Sequence, residues 1–259
     1  MNQNLNLKIT EITSAQNPRY KQWLKILESK GIKKYNEAII SGRSFLNEIL
    51  TEFPSQVLGI ITSNIDELDN YNIPTNASVY LLPNELFSSL DIYGIKAPLL
   101  IISAPAPQPW NETLASGLTL FLPLQNPINL GTCIRNAAAL GAEVVLLKEA
   151  ATPYLPKCLR ASGPAIFQVK LWEGPSIKDL AQYDKLPIYA LSPNGMNLFS
   201  FNFLETMGLV AGIEGPGLDQ YWSENKRLSI PMQPKVESLN TAVAVGMAMA
   251  CRLAHLNYK

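Results

Sequence analysis

The chain has 259 residues, 47% of them hydrophobic, with 21 basic and 21 acidic side chains and so no net charge. That length buries one large core or two modest ones, and no apolar run reaches the roughly eighteen residues of a membrane-spanning helix, so no membrane role is expected. Three scattered cysteines (Cys133, Cys158, Cys251) and a single histidine, His255, argue against a disulfide framework or a multi-imidazole metal site, and they suit a reducing, cytoplasmic setting.

Met1–Thr10 is polar and does not read as a secretory signal. Pro18–Lys30 then reads as a helix, with Trp23, Leu24 and Leu27 at helical spacing and Gly31 as its stop. Ala38–Ile40 reads as a short strand and Ser44–Thr51 as a helix. Val57–Ile61, Val79–Leu82 and Leu99–Ile102 are apolar runs of strand length. Charge is uneven along this half. Lys8, Arg19, Lys21, Lys25, Lys30, Lys33, Lys34 and Arg43 face only Glu11, Glu28 and Glu37, whereas Ser44–Glu112 is acidic apart from Lys96. Such polarity suits a face that meets a polyanion, and it equally suits a solvated helix surface.

Ala104–Pro109 alternates proline and reads as an extended linker. The expected division is therefore a domain over 1–103, a linker over 104–116 and a second domain over 117–259. In that second half, strands are expected at Thr119–Leu122, Val144–Leu147, Phe167–Leu171, Ile188–Leu191 and Leu209–Ile213, with helices at Leu130–Leu140 and Ser238–His255. This alternation implies a parallel sheet covered on both faces.

Three segments of the second half carry chemistry. Asn126–Asn136 follows a strand and opens a helix. Asn129 reads as its N-cap, and Arg135 lies in an apolar run where a buried guanidinium needs an anionic partner, a ligand or a structural carboxylate. Gly212–Leu218 ends a strand with glycines that admit close backbone approach, and it carries Glu214; a tight turn is the other reading. Ile230–Asn240 is a proline-rich loop running into a helix, with Ser238 or Glu237 as cap. Asn240 there is unusual on an apolar helix unless its amide has a partner.

In order and spacing these segments resemble the three signature motifs of the SpoU/TrmH branch of the SPOUT methyltransferases. The matching residues are Asn129, Gly131 and Arg135; then Gly212, Glu214, Gly215 and Gly217; then Ile230-Pro231-Met232 and Ser238-Leu239-Asn240. The resemblance covers Leu120–His255. The first half is similar, less closely, to the family's small substrate-binding domain through Thr13–Pro18 and the basic helix after it. Ile213, Pro164 and Pro234 depart from the family pattern.

The resemblance implies an α/β fold: a SPOUT-type parallel sheet with a C-terminal trefoil knot, preceded by a smaller α/β substrate-binding domain. It implies S-adenosylmethionine as cofactor, held by Leu191, Ser192, Gly212, Ile213, Glu214, Gly215, Ile230, Met232, Ser238 and Leu239. It implies 2′-O-ribose methylation of RNA, with Arg135, Asn129, Glu214, Ser238 and Asn240 as the catalytic set and no metal. A ribosomal RNA substrate is favoured over tRNA, a degenerate RNA-binding member is the alternative, and the family works as homodimers.

Overall fold

A computed structural model describes residues 8–212, 218 and 221–257. The chain forms two compact units that are not sequential. One runs to Ala106 and includes Thr152–Phe167; the other comprises Pro107–Ala151 and the chain from Gln168 onward. The single cut drawn from the sequence misses this return, because nothing in local patterning tells a segment which core will bury it.

The first unit contains, in order, β1 (Ile9–Glu11), α1 (Pro18–Lys25), α2 (Ser29–Tyr35), β2 (Glu37–Ile40), α3 (Leu46–Glu52), β3 (Val57–Thr62), β4 (Ser78–Leu81), α4 (Asn84–Leu90) and β5 (Leu99–Ser103). Its sheet has the order β1-β4-β3-β5-β2. β1, β4 and β3 run parallel, and β5 is antiparallel to both β3 and β2. Asn17 starts α1: its side chain accepts the Arg19 and Tyr20 amides, and Pro18 supplies a preset φ at the first position. Trp23 and Ile26 are fully buried beneath it.

The single helix expected over Pro18–Lys30 is in fact two, and Gly31 lies inside the second. A Cβ on Gly31 would stand 1.9 Å from the Lys25 carbonyl oxygen, so the glycine lets α2 pack onto the end of α1. The stretch Thr152–Phe167 buries Cys158, Leu159 and Ile166 in this unit, and Phe167 meets Phe53 with ring centroids 5.2 Å apart.

The second unit contains β6 (Gln108–Pro109), β7 (Leu118–Leu122), α5 (Pro127–Leu140) and β8 (Ala142–Leu146). After α6 (Pro156–Ser162), which belongs to the first unit, come β9 (Leu171–Glu173), α7 (Ile177–Leu180), β10 (Ile188–Asn197), β11 (Met207–Val210), β12 (Arg227–Ser229) and α8 (Thr241–Asn257). The order is β12-β10-β11-β7-β8-β9-β6, and every pairing is parallel. All five residues of β7 are buried, as a central parallel strand requires. Each large side chain so buried stabilises the fold by about 1.5–3 kcal/mol.

Two expectations need correction here. The proline stretch is not wholly a linker, since Gln108–Pro109 adds an edge strand to β9, where a missing N–H is tolerated. Trp110 follows it into the core, against Phe121 and Tyr183. The strand expected at Phe167–Leu171 begins only at Leu171, because Gly163–Phe167 closes a short helical turn. The end of the expected strand Leu209–Ile213 lies outside the described residues.

Candidate functional site

The bulge in the middle of β10, the C-terminal end of β12 and the N-terminus of α8 enclose a cavity of about 550 Å³. Ligands of open parallel sheets sit at this edge. β10 contributes by leaving its ladder. It pairs with β12 at Ala190 and Leu191, then again at Met196 and Asn197. The intervening Ser192-Pro193-Asn194-Gly195 bulges out, and Pro193 has no N–H to give the ladder. The Asn194 amide donates to Ser192 Oγ at 3.2 Å, and Ser229 Oγ donates to the Gly195 carbonyl at 3.0 Å. Gly195 is required where the bulge rejoins, because a Cβ would lie 2.6 Å from the Arg227 carbonyl oxygen.

The lining is therefore Leu191, Ser192 and Pro193 from the bulge, Gly212 after β11, Leu228 and Ile230 from the β12 end, Met232, and Glu237–Asn240 leading into Thr241 and Ala244. Its chemistry is mixed: an apolar floor with hydroxyl, amide and carboxylate groups at the α8 end.

One hydrogen bond joins the first and third sequence segments. Asn240 Nδ2 donates to Asn129 Oδ1 at 3.1 Å. The other end of the Asn240 amide caps α8, with Oδ1 accepting the Ala242 and Val243 amides at 3.0 and 3.3 Å. Asn240 is thus the cap itself, not a residue one turn in, and Ser238 and Glu237 precede the helix. In the same way Asn126, not Asn129, caps α5, accepting the Ile128 and Asn129 amides. Asn129 sits in the first turn, buried. Asn136 Nδ2 adds a second tie, to the Ala242 carbonyl at 3.4 Å.

Residues 119–250 match the model of the SpoU rRNA Methylase family. The chain belongs to the SpoU family. A relative in Syntrophobacter fumaroxidans, named ribosomal RNA small subunit methyltransferase G 2, is 38% identical over 92% of this chain, which spans 48%, about half, of that relative's length. An "uncharacterized tRNA/rRNA methyltransferase" of Synechocystis is 30% identical over 95% of the chain and 94% of its own length. A 23S rRNA guanosine 2′-O-methyltransferase of Bacillus subtilis, RlmP, is 29% identical over 92% of the chain and 96% of its own.

The fold is likewise similar to solved structures. An AdoMet-bound rRNA methyltransferase from Sinorhizobium meliloti superposes with a TM-score of 0.78 at 18% identity, covering 96% of this chain and 98% of that one. A putative RNA methyltransferase of the TrmH family from Porphyromonas gingivalis gives 0.72 at 25% identity, covering 92% and 98%. The α/β fold with its parallel sheet is that of SPOUT methyltransferases.

Of the SpoU motif residues, Gly212, Ile230, Met232, Ser238, Leu239 and Asn240 line the cavity, and so do Leu191 and Ser192, which were expected at the cofactor. Ile213, Glu214, Gly215 and Gly217 lie outside the described residues. Arg135 differs from expectation: it is exposed, and it forms no ion pair among the described residues. It does not line the cavity. Its neighbours in helical phase are Ile128, Thr132 and Ala139, so it projects from the outer face of α5. Pro193, Leu228, Thr241 and Ala244 line the cavity without having been singled out in the sequence. The Pro-Asn-Gly turn after Ser192 was the available signal for the first. Cys133, inside the first motif, is no nucleophile, because burial pushes its thiol up to about 12.

Proposed function

We propose that the chain is an S-adenosylmethionine-dependent RNA methyltransferase that transfers a methyl group to a ribose 2′-oxygen, with ribosomal RNA as substrate. The observation that carries this reading is the meeting of the bulge at Ser192, the glycine at 212 and the segment Ile230–Asn240 around one cavity. Its volume of about 550 Å³ falls within the range of roughly 300–1,000 Å³ found for small-molecule sites. The lining fits a nucleoside with a charged tail: Leu228, Ile230, Met232 and Leu239 offer apolar contact, and Ser192, Ser238 and Asn240 offer hydrogen bonds. Gly212 is part of the cradle, since a Cβ there would already approach the Leu191 carbonyl oxygen to 3.2 Å. The name of the Bacillus subtilis relative supports the 2′-O assignment, and its name together with that of the Syntrophobacter relative supports ribosomal RNA.

When bound, the cofactor supplies an electrophilic methyl group. The chain supplies position and electrostatics. Ser192, Gly212, Ile213, Glu214, Gly215, Ile230, Met232, Ser238 and Leu239 hold the cofactor, with Leu191. Asn129 and Asn240 fix the geometry next to it, each amide locked by the other. Arg135 grips the phosphate beside the target ribose or stabilises charge on the attacking oxygen, and Glu214 and Ser238 orient these groups.

Three further features belong to this proposal. In this reading the last strands and the C-terminal helix form the trefoil knot of the family. The chain acts as a homodimer through the outer faces of α5 and α8, where Ile128, Val243 and Leu253 are exposed, so that Arg135 sits at the interface. The exposed lysines 21, 25, 30, 33 and 34 of the first unit meet RNA phosphates; Arg19 is set apart from them by its 3.1 Å ion pair with Glu37. Among the described residues no helix is long and apolar enough to cross a membrane.

Calorimetry on the full chain tests the cofactor site. Gly212→Val places a branched side chain against the Leu191 carbonyl and is expected to weaken S-adenosylmethionine binding at least tenfold with the circular dichroism spectrum unchanged. Equal affinity in the two proteins would move the cofactor elsewhere.

A further inference from the structure

Among the described residues that line the large cavity, Glu237 alone is ionisable. The sequence offered it as a cap for α8, but Asn240 performs that task through the Ala242 and Val243 amides. Glu237 precedes the helix, is exposed, and makes no hydrogen bond or ion pair among the described residues. Its carboxylate therefore has no structural task. The other polar side chains of the described lining, Ser192, Ser238, Asn240 and Thr241, are neutral. The described lining thus carries one uncompensated negative charge.

S-adenosylmethionine carries three charges. The ammonium and carboxylate of its amino-acid tail offset one another, so its net positive charge resides on the sulfonium. The methyl group on that sulfur must meet the ribose oxygen, which the reading above sets beside the Asn129–Asn240 pair. Glu237 stands three residues before Asn240 in the same lining segment, at most about 11 Å of chain away. The seventeen-residue helix α8 also begins there, and a helix N-terminus presents partial positive charge. A cation brought to this end of the cavity is repelled by the helix unless a carboxylate stands near it.

We propose that Glu237 is the counter-charge of the cofactor sulfonium and makes the cavity prefer the cofactor to its demethylated product. The inference rests on the methyltransferase reading above. When the ribose oxygen takes the methyl group, the electron pair of the S–CH₃ bond stays on sulfur, which becomes a neutral thioether, and the hydroxyl proton ends in solvent. The attraction to Glu237 is then lost, while the contacts to the adenosine and to the amino-acid tail remain. Glu237 is a specificity residue in this account: it acts on which form of the cofactor is held, without touching the attacking oxygen.

Calorimetry on the full chain tests this with three probes: S-adenosylmethionine, S-adenosylhomocysteine, and sinefungin, an analogue with an amine-bearing carbon in place of the sulfur. Glu237→Gln is expected to weaken S-adenosylmethionine at least about fivefold, the effect of one charge pair some 4 Å apart in water, and sinefungin alike. S-adenosylhomocysteine is expected to bind both proteins equally. Glu237→Asp is expected to restore part of the preference. In the wild-type protein the preference for S-adenosylmethionine over S-adenosylhomocysteine is expected to shrink as salt is raised, because a solvent-exposed pair is screened. Equal losses for all three ligands would place Glu237 at the tail ammonium. That result, an unchanged preference in the glutamine variant, a preference indifferent to salt, or sinefungin behaving as S-adenosylhomocysteine does, overturns the inference and leaves the cofactor site standing. A wild-type protein that binds none of the three overturns both.

Discussion

Asn240 uses the two ends of one amide for two tasks, capping α8 with Oδ1 and bonding Asn129 with Nδ2. Substitutions separate them. Asn240→Asp keeps a good cap but loses the donor, so methyl transfer is expected to fall at least tenfold while the melting temperature stays near that of the wild type. Asn240→Ala loses both and is expected to destabilise by about 1–2 kcal/mol as well. An unchanged rate in the aspartate variant would remove the Asn129 bond from the mechanism. Arg135 calls for the opposite pair of readings. It is exposed and unpaired among the described residues, so Arg135→Ala should cost within about 0.5 kcal/mol of stability. Single-turnover methyl transfer is expected to fall by about two to three powers of ten. A variant that melts far earlier yet turns over normally would make Arg135 structural. The sequence suggested a buried arginine because its neighbours are apolar. Helical phase, which groups it with Ile128 and Thr132, carries the better information. Asn240 was legible as a polar residue in need of a partner, but its role as cap was hidden by placing the start of the helix at Ser238.

The elements of the second unit were readable where burial is two-sided. β7 and β8 are apolar runs bounded by turns, and their parallel pairing follows from the alternation with helices. β1, β6 and α4 were not readable. β1 and β6 are short and wholly exposed edge pieces, and α4 buries only Phe87 and Leu90. The break between α1 and α2 was also missed, since Gly31 reads as a stop when its purpose is contact. This reverses a common rule. Gly→Ala inside a helix ordinarily stabilises by up to about 1 kcal/mol. Gly31→Ala brings a Cβ to 1.9 Å from the Lys25 carbonyl oxygen and should instead destabilise by about 1–3 kcal/mol, read from the urea midpoint. A stabilised variant would contradict the packing of α2 on α1.

At the scale of the whole molecule, the two units interleave in sequence, so the unit that holds the cavity cannot be excised by one cut. A fragment starting at Ser116 would discard Trp110 from the core around Phe121 and leave the apolar side chains of Thr152–Phe167 without their unit. The domain boundary was the least legible feature, because it depends on which core buries Cys158 and Leu159. The function class was the most legible, because short motifs far apart in the chain come together: Gly212 and the Ile230–Asn240 segment line one cavity, and the Asn240–Asn129 hydrogen bond ties the first motif to it. Its central claim, methyl transfer to a ribose 2′-oxygen, has a direct chemical readout. Alkali cleaves RNA through the free 2′-hydroxyl, and a methyl group there blocks cleavage. Ribosomal RNA labelled by the full chain with radioactive S-adenosylmethionine should therefore release its label in alkali-resistant dinucleotides. Label recovered in mononucleotides would mean that a base is methylated and would contradict the account.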